Sequence, residues 1–258
     1  MLRVCSLGSG SSGNGLVVEA RDGTSTTRVL IDNGFNLRQL ERRLQRVGLG
    51  PEALDAVFVT HEHSDHVGGV AALARRCRVD IYCTEGTAVA GGLVDHGITW
   101  RAIRAGDVLE LGPLGIRPFA VPHDALEPVQ YVFTDGARRA GLLTDVGECS
   151  DSIIDALSGL HALILECNHD ADLLQGGRYP AFLKQRIAGP QGHLSNEQAA
   201  GILDRARSAA LGWVAAAHLS RSNNRPQLAQ QALARVLGCE AREISVLDQD
   251  EGLPWREV

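Results

Sequence analysis

The chain has 258 residues, 44% of them hydrophobic, and a formal net charge of −6. That length can bury a sizeable core, no apolar run approaches the span of a bilayer, and the acidic balance excludes a wholly basic nucleic-acid-binding module, although a nucleic-acid footprint needs only a local patch. The opening stretch MLRVCSLGSGSSGN lacks the apolar segment of a signal peptide, and the six cysteines form no Cys-x-x-Cys pair, so the expectation is a cytoplasmic chain with reduced thiols.

The first predicted elements are two strands, LRVCSL and GLVVEA, joined by the Gly/Ser-rich turn GSGSSGN (8–14). A third strand, TRVLIDNG, precedes a helix in which Leu37, Leu40, Leu44 and Val47 fall at helical spacing and Gly48 suits the C-terminal cap. The short strand LDAVFVT runs into a histidine cluster, a helix VGGVAALARR leaves it, and strand VDIYCT is followed by a helix over EGTAVAGGLVDHG. The middle is β-rich: DVLEL, GIRPFAVPHD, VQYVFTD and RAGLLTDVG. The last third alternates helix 151–158, strand HALILECNHD, a helix from about 196, strand LGWVAAAHLS, helix 226–237 and strand REISVLDQD. This order suggests an α+β fold of two mixed sheets covered by helices, in a single domain over 1–258.

Six predicted strands end in a residue that can bind metal or move a proton. They end at Asp32, at His61, His63, Asp65 and His66, at His123, at Asp145, at Glu166 near His169, and at His218. A lone Asp after a strand is ordinarily a turn former, but six coincidences point to one site outside the carboxyl ends of strands. In THEHSDH, His61 and His63 are two apart and share one side of an extended segment. Ser64 is suited to cap the next helix, which puts Asp65 and His66 in its first turn. Imidazole with carboxylate suits zinc, and also manganese or iron. With His123, Asp145 and His218 there are seven ligands, which suggests two divalent metal ions.

His-x-His-x-Asp-His followed by a strand-end His, Asp and His resembles the metallo-β-lactamase-fold hydrolases across the whole chain. The phrases GSGSSGN, VTHEHSDHVGGV, ECNHD, RYPAFLKQRI, GHLSNEQAA and AHLSRSNN are similar, more narrowly, to the bacterial YycJ or WalJ subgroup. The resemblance implies a four-layer αββα sandwich. It implies that His61, His63 and His123 hold one metal, that Asp65, His66 and His218 hold the other, and that Asp145 bridges them. Asp32 would orient ligand histidines from behind, with His169 as further support. It further implies a 5′-to-3′ DNA exonuclease, in which a hydroxide bridging the metals attacks phosphorus.

The residues outside the metal cluster bear on the substrate. Ser195 and Gln198 make a capping box ahead of an apolar-periodic helix, so Ser195 reads as a cap rather than a nucleophile. His193 then stands just before a helix N-terminus, where anions are favoured and a proton can be given to a leaving oxygen. RNA-processing relatives of the fold pair such a His with a strand-end Glu, which implies a Glu166–His193 pair here; with Asp65 these are the candidate catalytic residues. Candidate phosphate or substrate contacts are Asn14, Lys184 (the only lysine), Arg186, Ser195, Asn196 and Asn223. Tyr179 and Phe182 lie where a base could stack. The alternatives are a phosphodiesterase for a small cyclic or nucleotide phosphate and a glyoxalase-type thioester hydrolase.

Overall fold

The structure, a computed structural model, describes residues 1–258. Two compact units divide the chain. The first comprises Met1–Ala120, Ala125–Arg139 and Asp248–Val258, and the second Val121–Asp124 and Ala140–Leu247.

In the first unit the elements are β1 (Leu2–Gly8), β2 (Gly15–Asp22), β3 (Ser25–Ile31), α1 (Leu37–Arg46), β4 (Ala56–Phe58), α2 (Ser64–Val67), α3 (Val70–Cys77), β5 (Asp80–Cys83), α4 (Glu85–Ala90), β6 (Trp100–Ala102), β7 (Leu109–Leu111), β8 (Leu114–Ala120) and β9 (Val129–Thr134). The chain's last strand, β14 (Leu253–Glu257), also belongs to it. Seven strands form one sheet in the order β14-β1-β2-β3-β4-β5-β6. Pairing is antiparallel from β14 to β3 and parallel from β3 to β6, so the sheet is mixed. β7, β8 and β9 form an antiparallel ribbon. Parallel strands buried on both faces read as continuous apolar runs, and β4 and the end of β3 are buried throughout. Leu40 and Leu44 of α1 join Leu7, Val17, Leu30, Val57, Val70, Leu73 and Ile81 in one core.

In the second unit the elements are β10 (Arg139–Leu143), α5 (Asp151–Ala156), β11 (Ala162–Glu166), α6 (Ala171–Gly176), α7 (Ala181–Ile187), α8 (Asn196–Ala206), β12 (Trp213–Ala217), α9 (Pro226–Leu237) and β13 (Ser245–Val246). Strands β10 to β13 pair in parallel, in chain order. Their carboxyl ends therefore lie at one edge, the edge at which ligands gather in such sheets.

Several elements differ from the sequence reading. The helix expected over 85–97 stops at Ala90, because Gly91 caps it and Gly92 takes φ +70°. The helix after the histidine cluster is split into α2 and α3, with Gly69 N–H donating to Asn33 O at 2.8 Å. Ser64 is the first residue of α2 rather than its cap. The capping position is His63, whose carbonyl accepts from His66 and Val67 N–H, both at 2.9 Å. β6, α6, α7 and β14 were not foreseen, and β13 is two residues long.

Candidate active site

Site residues occur as one cluster in each unit. In the first, Asp32 directly follows β3 and adopts φ +59°. Left-handed backbone is uncommon for a residue other than glycine and concentrates at functional sites. Asp145 (φ +53°) and His218 (φ +54°) share it, so three of the four such residues in the chain stand immediately after a strand or one residue on, at predicted site positions.

Asp32 organises the segment that follows β4. Its Oδ1 accepts from Thr60 N–H at 2.8 Å, and its Oδ2 accepts from the Thr60 hydroxyl and from His66 Nδ1, each at 2.8 Å. Because Thr60 donates its proton to Asp32, its oxygen accepts from His61 Nδ1 at 2.9 Å. One carboxylate thus sets the tautomer of His66 directly and of His61 through Thr60, so both rings carry the lone pair on Nε2. The rings are close: His61 lies 4.6 Å from His63 and 4.1 Å from His66, centroid to centroid. His66 Nε2 is 3.5 Å from Asp65 Oδ2. Thr60, fully buried, carries half of this arrangement. Its position directly before the histidine motif was the one signal in the sequence.

The Gly/Ser turn buttresses this cluster, and most of its N–H groups are already bonded within the unit. Ser9 N–H goes to Asp248 O, Gly10 to the Asn14 amide oxygen, Ser12 to Gln249 Oε1, Gly13 to Gly10 O and Asn14 to Asp65 O. The Asn14 amide nitrogen donates to Asp65 Oδ2 at 3.2 Å and to His66 Nε2 at 3.0 Å. Asn14, expected at a phosphate, therefore props Asp65 and His66. Gly34 closes the contact: a Cβ there would lie 1.9 Å from Asp65 O. Gly34→Ala is expected to cost about 1–3 kcal/mol by overpacking, read as a lower urea midpoint.

In the second unit, Asp145, Glu166, His193 and His218 place ligand-type atoms within 4.8 Å of one another. Glu166 ends β11 with no exposed surface. Its Oε1 faces His193 Nδ1 at 2.7 Å and His218 Nδ1 at 3.2 Å. Its Oε2 accepts from Val146 and Leu194 N–H, both at 3.2 Å. Burial alone would raise this carboxyl, but the His193 charge and the hydrogen bonds from His193 and His218 hold it well below the usual carboxylate range. Burial likewise opposes the charged form of His193, and the Glu166 carboxylate outweighs it, so the imidazole is raised. His193 keeps 22% of its side chain exposed while Glu166 keeps none.

His123 Nδ1 donates to Gly192 O at 3.1 Å, which again leaves the lone pair on Nε2. Its ring lies 5.2 Å from that of His193, and burial lowers its basicity, favouring the neutral form a metal ligand needs. Neutral imidazoles of fixed tautomer beside carboxylates are a donor set suited to zinc, manganese or iron.

The remaining candidates are less directly placed. Ser195 Oγ accepts from Gln198 N–H, and Gln198 Oε1 accepts from Ser195 N–H, a complete capping box on α8. Asn196 is 4% exposed and pairs its amide with Asn224, so neither it nor Ser195 turns its side chain toward a substrate phosphate. Asn223 is also buried, with its amide on Ser220 Oγ at 3.4 Å. Lys184 Nζ donates to Gln175 O, and Arg186 forms an ion pair with Asp124 at 2.5 Å. Phe182, on α7, is 72% exposed. His169 is 2% exposed; its backbone bridges to Ser195, its Nδ1 has no partner, and burial lowers its basicity.

A family model described as a β-lactamase superfamily domain matches residues 27–213. Exodeoxyribonuclease YycJ of Bacillus anthracis is 36% identical over 234 residues, 90% of this chain and 87% of that protein. Exodeoxyribonuclease WalJ of Streptococcus pneumoniae is 36% identical over 237 residues, 90% of this chain and 86% of that protein. Among solved structures, the metallo-β-lactamase-fold protein YhfI of Bacillus subtilis aligns at TM-score 0.76 and 19% identity over 100% of both chains, a likeness of fold alone. No helix is long and apolar enough to cross a membrane.

Proposed function

The chain belongs to the β-lactamase superfamily, with the α+β sandwich of the metallo-β-lactamase fold, and is a metal-dependent hydrolase of the nuclease and phosphodiesterase type; from that premise we propose that it is a 5′-to-3′ DNA exonuclease using two divalent ions. In this reading residues 1–258 work as one domain. His61, His63 and His123 would hold one ion and Asp65, His66 and His218 the other, with Asp145 also available as a ligand. Divalent ions in such a set neutralise charge on a phosphoryl group and lower the pKa of water.

The chain's own residues supply the proton chemistry. Glu166 orients His193 through Nδ1, so His193 presents Nε2–H to the departing oxygen of the scissile ester. Asp65, 21% exposed, takes a proton from the attacking water. Asp32 and Thr60 hold His61 and His66 in the coordinating tautomer. The observation that carries the reading is the 2.7 Å Glu166–His193 contact, in a chain whose full-length relatives are named exodeoxyribonucleases. A thiolate leaves without needing a proton, so a thioester hydrolase has less use for a buried carboxylate that raises an imidazole at its site.

A strand of DNA would meet α7. Phe182→Ala is expected to weaken single-stranded DNA binding by about 1–3 kcal/mol, the worth of one stacked base. Fluorescence anisotropy at low salt in the presence of chelator measures it, and hydrolysis of bis-p-nitrophenyl phosphate should not change.

The deciding assay incubates the protein with Mn²⁺ or Zn²⁺ and end-labelled DNA, with and without a 5′-phosphate, beside bis-p-nitrophenyl phosphate. Release of mononucleotides from the 5′ end is expected. Turnover of the small ester with intact DNA would sink the nuclease reading and favour a small cyclic or nucleotide phosphate, which the net charge of −6 accommodates.

A further inference from the structure

We propose that Asn224, acting with Asn196 and Asn168, is a positioning residue that holds Glu166, His193 and His218 at fixed spacing. The proposal rests on the phosphodiesterase reading above for its activity readout. These three site residues leave different segments: Glu166 ends β11, His193 precedes α8 and His218 follows β12. Something must fix the segments against one another, because an error near 1 Å in such a constellation costs about 10²-fold in rate.

Asn224 is 3% exposed, and all four hydrogen-bonding capacities of its amide are used. Its nitrogen donates to Cys167 O at 2.7 Å and to Asn196 Oδ1 at 2.9 Å. Its oxygen accepts from the Asn196 amide at 3.0 Å and from Arg225 N–H at 2.8 Å. Cys167 is the residue after Glu166. Asn196 is the first residue of α8, three after His193. Asn224 lies six residues after His218. One saturated amide therefore ties together the three segments that carry the site.

Asn168 adds a second tie. Its side-chain nitrogen donates to the carbonyl of His218 at 3.1 Å, which fixes the peptide at this left-handed residue. Its backbone N–H donates to Leu194 O at 3.0 Å, and its carbonyl accepts from Ser220 N–H at 2.8 Å. Buried polar networks specify geometry strongly when every member is satisfied, and are fragile when one is not.

Asn224→Asp tests the proposal with almost no change of volume. The swap removes the two donated bonds and sets carboxylate oxygens against Cys167 O and Asn196 Oδ1. On single-stranded DNA, whose alkoxide leaving group needs the proton from His193, kcat should fall about 10- to 100-fold while KM and metal content per chain stay within about twofold. In a His193→Ala background the same substitution should slow turnover little further, because it acts through the placement of His193. A purely structural role would give the same loss in both backgrounds, and that result overturns the proposal. Asn196→Ala, which removes two of the four bonds, should show the same pattern to a smaller degree and carries the test if Asn224→Asp does not fold. The Nδ1–H proton resonances of His193 and His218 give a readout free of substrate. They should shift in Asn224→Asp, and unchanged resonances overturn the proposal even if wild-type protein cleaves no phosphodiester, a result that by itself would overturn only the functional reading.

Discussion

Glu166→Gln is expected to lower phosphodiester turnover by about 10⁴-fold, the scale seen when a carboxylate that fixes a histidine tautomer becomes an amide. The side chain has no orientation of the amide that suits its neighbours. Oε2 accepts from two backbone N–H groups, so a nitrogen there would point donors at donors. Placed at Oε1, the nitrogen donates to His193 and His218, whose Nδ1 atoms must then accept. That moves the proton of each ring to Nε2. His218 would lose the Nε2 lone pair that its proposed ligand role requires, and the carboxylate that raises His193 would be gone. Turnover and metal content measured together check this, and a Gln variant within tenfold of wild type would show that Glu166 does not set these tautomers. Glu166→Ala should in addition cost about 1–3 kcal/mol for each of the Val146 and Leu194 N–H groups it leaves without a partner.

The same pair gives the metal-free protein a defined dependence on pH. Glu166 is lowered, so its stabilisation is full above the unfolded carboxyl value of about 4.3 and is lost as pH falls through the folded value. His193 is raised, so its stabilisation is full below the unfolded imidazole value of about 6.5 and is lost as pH rises through its folded value. Urea unfolding in chelator should therefore show greatest support from this pair between about pH 4.3 and 6.5. Both flanks should flatten in Glu166→Gln.

Much of the cluster in each unit was legible in the chain because strand-end chemistry is local. An apolar run stopping at Asp32, at the 61–66 cluster, at Asp145, Glu166 or His218 can be seen in a single line of sequence. The 151–158, 196 and 226–237 helices were visible for a similar reason, with α9 matching its range residue for residue. What failed depended on distant partners. β14 exists because β1 has an open edge that it pairs with antiparallel, more than 240 residues away in the chain. α6 and α7 are short, and the basic and aromatic residues around them hid their periodicity. Asn14, Ser195 and Asn196 read as polar residues beside a site and so as substrate contacts. The Ser195 cap on Gln198 was readable from spacing, whereas only the partners Asp65 and Asn224 show what Asn14 and Asn196 brace. Thr60, beside the histidine motif, and Asn224, within AHLSRSNN, gave no hint of their roles, since a buried hydroxyl or amide becomes informative only through what it bonds.

Asp32→Asn should separate metal affinity from folding more cleanly than loss of any ligand. Asparagine tolerates left-handed backbone, so φ +59° is no obstacle. Its oxygen can still accept from Thr60 N–H, in the place of Oδ1. The amide nitrogen then stands where Oδ2 accepted from Thr60 Oγ1 and from His66 Nδ1. It must donate to both, so His66 Nδ1 becomes an acceptor and its proton moves to Nε2, the atom that would coordinate. Thr60, no longer donating to position 32, can turn its proton toward His61 Nδ1 and shift that ring the same way. Loss of such a supporting carboxylate typically weakens metal binding 10- to 100-fold. Metal per chain at graded free Zn²⁺ should show a shift of about that size, with a melting temperature near wild type and turnover partly restored by excess metal. Asp32→Ala should lose both properties, because it strands Thr60 N–H and His66 Nδ1–H in the interior at about 1–3 kcal/mol each. Wild-type zinc affinity in folded Asp32→Asn would mean that the tautomers are set elsewhere, and the role given to Asp32 would fall with it.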